Sequence, residues 1–162
     1  MTHACKTMIS PVGDLTLVAS DSGLTAILWP NDDPNRVRIG ETIQDDDHPI
    51  LTEAEQQLTA YFAGTLQTFT VPLDFVGTDF QKQVWAALLT IPHGETRSYA
   101  DIARQIGRPT ATRAVGAANG RNPISIIAPC HRVIGTNGKL TGFAGGLAAK
   151  ELLLTLEGRR LL

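Results

Sequence analysis

The chain changes character at Val76-Gly77, and that break limits what it can fold into more than any other feature. Ahead of it, short apolar runs are punctuated by turns. Leu15-Thr16-Leu17-Val18-Ala19 and Leu24-Thr25-Ala26-Ile27-Leu28 flank Asp21-Ser22-Gly23 and read as a hairpin. Behind it, Thr78 with Gln81 three residues on forms a capping box. Phe80, Val84, Trp85, Leu88 and Leu89 then give one apolar helical face ending at Pro92. Charge divides at the same place. Residues 1–77 carry three basic side chains against eleven acidic ones, and residues 78–162 carry eleven against five. The pattern predicts an α+β protein: a small acidic α/β unit over 1–77, followed by a basic, mainly helical unit over 78–162. A polyanion is the partner expected for the second.

Within the first unit, Pro30 to Pro49 is polar and aperiodic and reads as a surface loop. Thr52 with Glu55 predicts a capped helix that turns Leu58, Tyr61 and Phe62 inward and stops at Gly64. Phe69, Val71, Leu73 and Phe75 alternate as a strand, with Pro72 suggesting an edge. Nothing in this half looks catalytic. In the second unit Ser98 and Asp101 cap a helix ended by Gly107, and a third helix runs from about 110 to 120. Two short helices around a Gly-containing turn are a helix-turn-helix signature. Residues 124–128 read as a buried strand or extended segment leading to Cys130. Val133 to Phe143, with Asn137-Gly138, reads as a hairpin wing, and a last helix spans about 147–156. Hydrophobic residues at 43% and charged residues at 19% are those of a soluble globular protein. No apolar run approaches the ~18 residues of a membrane span, and the start shows no signal-peptide core. Cys5 and Cys130, far apart, are expected to be reduced thiols in a cytoplasmic protein.

Cys130 is the one nucleophile with a potential base beside it, in Ile127-Ala128-Pro129-Cys130-His131-Arg132-Val133. A thiol attacks as thiolate, and imidazole or cationic neighbours lower its pKa from about 8.5 toward neutrality. A buried cysteine serving as a small hydrophobe is the structural alternative. The third helix is also unusual, with Ala111, Ala114, Gly116, Ala117, Ala118 and Gly120 around a single Arg113. Such a surface suits tight helix packing or a close approach to DNA. The longer string from Asn122 through Val133 resembles the active-site signature of the O6-alkylguanine-DNA alkyltransferases. Arg113-Ala114-Val115-Gly116 followed by Asn119-Gly120-Arg121-Asn122-Pro123 resembles their recognition helix. The likeness is densest from Thr78 to Gly158 and continues more weakly through the first half.

The resemblance implies a ribonuclease-H-like first domain and a winged helix-turn-helix second domain. The activity it implies is stoichiometric, irreversible transfer of an alkyl group from O6-alkylguanine, and less readily O4-alkylthymine, in duplex DNA to Cys130. The lesion is first flipped out from the minor-groove side, because a thiolate needs in-line access that a stacked duplex denies. His131 would take the thiol proton through a water and Glu157 would hold the imidazole. Glu151 competes with Glu157 on spacing alone. Arg113 would fill the space left by the flipped nucleotide. Tyr99 would press on the 3′ phosphate and hydrogen-bond the guanine, although ordinary packing is the plain reading of a Tyr beside a helix cap. Ala100, Arg108 and Thr136 are further DNA contacts on this likeness, and Lys139 is a candidate phosphate contact. The Cys130 and Val133 carbonyls would accept from the exocyclic amine, and the Ala144 N–H would meet O6. Many members carry Tyr and Ser where this chain has Phe143-Ala144, so no side-chain hydroxyl contact is expected there. Asn122 would bridge the recognition helix turn and the active-site segment, or simply make an Asn-Pro turn, and Arg132 would make structural contacts.

Double-stranded DNA carrying O6-alkylguanine or O4-alkylthymine is therefore the expected partner, with no membrane, a monomeric state in solution and cooperativity on DNA left open. No cofactor and no metal are expected. Relatives that hold zinc use two Cys and two His, and here only Cys5 remains, with Ser20 and Thr25 at the later positions. Two other function classes compete. Damage-binding proteins of this kind replace the cysteine, against which Cys130 argues. A Cys-His-Glu hydrolase would turn over, whereas an S-alkyl thioether cannot be hydrolysed.

Overall fold

The computed structural model describes residues 2–158, so the last four residues of the second unit lie outside the described residues. The first half forms a four-stranded sheet in the order β3-β2-β1-β4. Strands β1 (His3–Met8), β2 (Leu15–Ala19) and β3 (Leu24–Leu28) pair antiparallel, and β4 (Thr42–Gln44) joins β1 in parallel. β2 and β3 read as apolar runs because the sheet is covered there, with Leu15, Leu17, Val18, Leu24, Ala26 and Ile27 all buried. β4 lies inside the segment expected to be loop. Its three residues are all exposed, so no alternation marked it.

Helix α1 (Pro49–Phe62) lies on the sheet and buries Leu51, Ala54, Leu58 and Tyr61 along one stripe. It begins before the expected Thr52 cap. His48 is the N-cap, its ring Nδ1 accepting from the Ile50 N–H at 3.2 Å, and Pro49 opens the helix, where its missing N–H costs nothing. The expected strand over 69–75 is only a single bridge at Leu73 to Leu24. The Gln57 side chain accounts for this by accepting the Thr70 and Val71 N–H groups, donors a ladder would have used.

In the second half the two capping boxes form as the sequence predicts, Thr78 with Gln81 on α2 (Asp79–Leu88) and Ser98 with Asp101 on α3 (Tyr99–Gln105). With α4 (Thr112–Gly120) they enclose Val84, Trp85, Leu88, Ile102, Ala103, Val115 and Ala118. Trp85 Nε1 donates to the Ala118 carbonyl at 2.9 Å, tying α2 to α4. The wing differs from expectation. Asn137-Gly138 does turn, with Gly138 N bonded to Gly135 O, but β6 (Val133–Ile134) pairs in parallel with β5 (Arg97–Ser98) and, among the described residues, with no returning strand. Across the turn Gly135 N bonds Lys139 O at 3.0 Å, but Lys150 Nζ takes the Val133 and Thr141 carbonyls, at 2.8 and 3.4 Å, that a longer ladder would have used. Helix α5 (Leu147–Leu156) is the last element among the described residues.

The larger core is shared between the halves. Ile124, Ile126, Ile127, Ala149 and Leu153 pack with the β1–β3 sheet and α1, and Phe75 and Phe143 touch both cores. At roughly 1.5–3 kcal/mol for each large apolar side chain taken from water, this interface is a major part of what holds the fold.

Candidate active site and DNA-facing surface

Cys130 reaches its place through a tight irregular segment and not the strand or extended segment expected over 124–128. Ile124 makes one bridge to Ile27, after which Ile127 N bonds Ser125 O and Ala128 N bonds Ile124 O, both at 2.9 Å. Ile126 sits at φ 75°, a conformation β-branched residues avoid at a cost of about 1–3 kcal/mol. Complete burial in the shared core holds it there. Cys130 N then bonds Ala128 O at 2.7 Å and opens a 3-10 turn, Cys130–Arg132.

Asn122 braces this segment from within. Its Nδ2 donates to Ala128 O at 2.8 Å and its Oδ1 accepts from Ile124 N at 3.1 Å, so it does more than make an Asn-Pro turn. Arg36, which sequence reasoning passed over, braces it from the first half. One guanidinium nitrogen donates to Asn122 O, another to Ile27 O at 2.8 Å, and the group pairs with Asp32. An arginine four residues after an aspartate in an aperiodic loop gives no sequence sign that it reaches so far.

Glu157, just past the end of α5, gathers the charged groups, while Glu151 lies exposed. His131 Nε2 is 2.8 Å from Glu157 Oε2. Arg132 Nε donates to Oε1 at 2.8 Å and Nη2 to Oε2 at 2.9 Å, with Nη1 on the Ile91 carbonyl. Tyr61, from α1, also donates to Oε2. Burial works against ionised Glu157, but the hydrogen bonds from His131 and Arg132 outweigh it and hold the carboxyl well below its usual range. An ionised carboxylate can only accept, so Nε2 carries the imidazole proton and Nδ1 keeps its lone pair. That Nδ1 is buried with no protein hydrogen-bond partner among the described residues. Burial pushes His131 below the ordinary imidazole value, against the pull of Glu157. His131 is thus a neutral, unengaged acceptor directly after the thiol.

The thiol corrects an expectation. Neighbours were expected to draw Cys130 toward neutrality, yet burial pushes it up, although Asn122, Arg36, Lys150 and Ser125 all act in the opposite direction. Cys130 is only 4% exposed, and in so dry a place desolvation of the thiolate exceeds these favourable terms.

Tyr99 is half-buried, its ring over Gly116 of α4 and its hydroxyl 2.5 Å from Thr141 Oγ1, with Ala100 following on α3. Arg113 projects from α4 into solvent, flanked by exposed Ala114. Arg108 is exposed but lies over the Phe80 ring at 5.7 Å, and Thr136 and Lys139 are exposed on the turn after β6. The carbonyls of Cys130 and Val133 already accept from Val133 N and from Lys150 Nζ at 2.8 Å, each keeping one lone pair for another donor. Ala144 is exposed and lines a different groove of about 210 Å³ with Asp32, Arg36, Gly120 and Arg121.

Comparison with known proteins places the whole chain. Residues 4–75 match the ribonuclease-like domain of 6-O-methylguanine DNA methyltransferase, and residues 79–159 match its DNA-binding domain. The chain belongs to the 6-O-methylguanine DNA methyltransferase family. Methylated-DNA–protein-cysteine methyltransferase of Mycobacterium tuberculosis is 55% identical over 96% of this chain and 92% of the relative. The namesake of Methanosarcina acetivorans is 51% identical over 92% and 94%. Among solved structures, Mycobacterium tuberculosis OGT in complex with DNA superposes with a TM-score of 0.85 at 52% identity, covering 97% of this chain and 92% of the other. The O6-methylguanine DNA methyltransferase of Methanococcus jannaschii gives 0.68 at 26%, covering 97% and 95%. As a methyltransferase of this family the chain has its ribonuclease-like and DNA-binding parts joined through one core, with Tyr61 and Arg36 linking the first part to the candidate site.

Proposed function

We propose that this protein repairs alkylated DNA by direct transfer of the alkyl group from O6-alkylguanine to its own Cys130. A single observation carries the reading: a buried thiol followed by an imidazole whose outer nitrogen is held by Glu157 and whose inner nitrogen is unengaged. His131 takes the proton from Sγ, and the sulfur attacks the alkyl carbon in line with the C–O6 bond. That bond breaks, its electron pair goes to the guanine, and the proton is returned there, so the base leaves restored and Cys130 leaves as a thioether. No water can cleave that thioether, so each molecule acts once. Burial raises the Cys130 thiol and lowers His131, so proton transfer between them is uphill on its own and is drawn forward by the irreversible alkyl transfer.

Duplex DNA is the partner, held on the basic half. In this reading α4 lies in the minor groove, Arg113 takes the place of the flipped nucleotide, and Tyr99 meets the lesion beside Thr141. Arg108, Ala100, Thr136 and Lys139 border the backbone. Minor-groove contact distinguishes sequences poorly, which suits a protein that must meet damage anywhere. O4-alkylthymine is a second substrate, the working form is a monomer, and the setting is the cytoplasm. Among the described residues no helix is long and apolar enough to cross a membrane.

The test is incubation with duplex DNA bearing O6-methylguanine, followed by mass spectrometry of the Cys130 peptide. One methyl on Cys130 and at most one lesion repaired per molecule are expected. Repair of a several-fold excess of lesions would exclude the single-use mechanism, and transfer retained in Cys130→Ser would place the acceptor elsewhere.

A further inference from the structure

Tyr61 belongs to α1, in the half of the chain where the sequence offers no catalytic group, yet its hydroxyl meets the carboxylate that holds His131. The residue is 1% exposed. Phe62 and Phe69 pack on its ring with centroids 5.4 and 5.3 Å away, and His93 lies at 6.3 Å. The hydroxyl donates to Glu157 Oε2 at 2.5 Å. We propose that Tyr61 is a positioning residue for thiol activation: by sharing Glu157 Oε2 with His131, it moderates the carboxylate's pull on the imidazole and keeps His131 a neutral base.

The argument rests on donors and lone pairs. Oε2 accepts from His131 Nε2, Arg132 Nη2 and Tyr61 Oη, whereas a carboxylate oxygen offers about two lone-pair directions. Each donor draws charge from the others' acceptor. A carboxylate with fewer donors would bind an imidazolium more tightly and so favour protonation of His131. The remaining groups around the pair are Arg132 in the same turn, Lys150 on α5 with Nζ 2.8 Å from Val133 O, and His93 against Tyr61. Burial and the adjacent Glu157 push the Tyr61 hydroxyl far above the ordinary phenol range, so it remains a neutral donor at every working pH. Because Tyr61 is carried by α1, activation of Cys130 depends on how the ribonuclease-like half seats against the DNA-binding half.

This inference rests on the reading of Cys130 as acceptor and His131 as base. Single-turnover methyl transfer from a short O6-methylguanine duplex is measured against pH for the parent protein and Tyr61→Phe. Transfer needs neutral His131, so the rate falls below the His131 pKa, and raising that pKa moves the acid limb to higher pH. Tyr61→Phe is expected to move the limb up by about half to one unit, a rate about 3- to 10-fold lower at pH values below both limbs. Affinity for unmodified duplex should be unchanged, which separates an effect on His131 from one on DNA binding. Site-specific 3-fluorotyrosine at position 61, nearly the same shape and a stronger donor, is expected to move the limb down. Limbs that superimpose, or that move the same way for both replacements, overturn the inference while the parent still methylates Cys130. Should Tyr61→Phe fail to fold, an unmoved limb in the fluorotyrosine protein overturns it alone. A parent that never methylates Cys130 overturns the underlying reading instead.

Discussion

Glu157 faces one buried cation, Arg132, and two neutral donors, so its loss has two separable effects. Glu157→Gln preserves shape but leaves the Arg132 guanidinium buried without a counter-ion, which should cost about 3–5 kcal/mol. It also frees the imidazole to take the wrong tautomer, so methyl transfer should slow far beyond what lost stability explains. Chemical denaturation beside single-turnover kinetics measures both, and unchanged kinetics in the folded variant would remove Glu157 from the activating network. Arg113 presents the opposite case, an exposed side chain on α4. Arg113→Ala should sharply reduce repair in duplex DNA yet react nearly normally with free O6-benzylguanine, whereas Arg108→Ala should weaken duplex binding modestly. Equal losses of Arg113→Ala on both substrates would assign it to the pocket or the fold. The residues of this site divide by how they could be seen in the sequence. Cys130 and His131 are neighbours in the chain, and Glu157 falls within the stretch of densest family likeness, Thr78 to Gly158. Tyr61 and Arg36 come from the other half, and only tertiary packing brings them to Glu157 and Asn122. The rise in the thiol pKa was equally invisible, because burial is a property of the folded molecule.

At the scale of elements, the segment between α2 and β5 controls where α5 ends. Gly94 has φ 86°, and a Cβ built on it would lie 3.1 Å from the Glu157 carbonyl oxygen. Gly94→Ala therefore meets both a left-handed backbone, at about 1–2 kcal/mol, and a tight contact that the backbone of Glu157 must yield to slightly. Lower thermal stability with a disproportionate loss of transfer rate is expected. A variant equally active per folded molecule would show that α5 can shift without disturbing His131. Helices with reciprocal caps were legible from sequence because the signal is local: Thr78 with Gln81 and Ser98 with Asp101 need only four residues. The strand expected at 69–75 failed because Gln57, from α1, takes the Thr70 and Val71 donors. The segment at 124–128 failed because Ile126 adopts a backbone that its residue type disfavours and that only the surrounding core enforces. Local patterns reported what local interactions decide, and misled where a distant side chain or the core prevailed.

For the whole molecule, the buried ionisable groups set a window of pH. His131 has a folded pKa below its ordinary value of about 6.5, so the unfolded chain binds the proton more readily and stability falls as pH drops through that value. Ionised Glu157 adds a further loss as pH falls below about 4.3. Cys130 is shifted the other way, so its contribution is present below about 8.5 and declines as pH rises beyond it, with Tyr61 adding to the decline above about 10. Midpoints of thermal unfolding should peak between about pH 6.5 and 8.5. A flat profile from pH 5 to 9 would mean that these groups are not buried as described. The two tryptophans give the molecule its own optical readout of both working parts. Trp29 donates to Ser125 Oγ at 3.1 Å, packs edge-on to Phe143 and touches the backbone at Gly145, while Trp85 is hydrogen-bonded to α4 through Ala118 O. With Trp29→Phe and Trp85→Phe read separately, intrinsic emission would resolve movement around the thiol from movement of α4, in real time and without any attached dye.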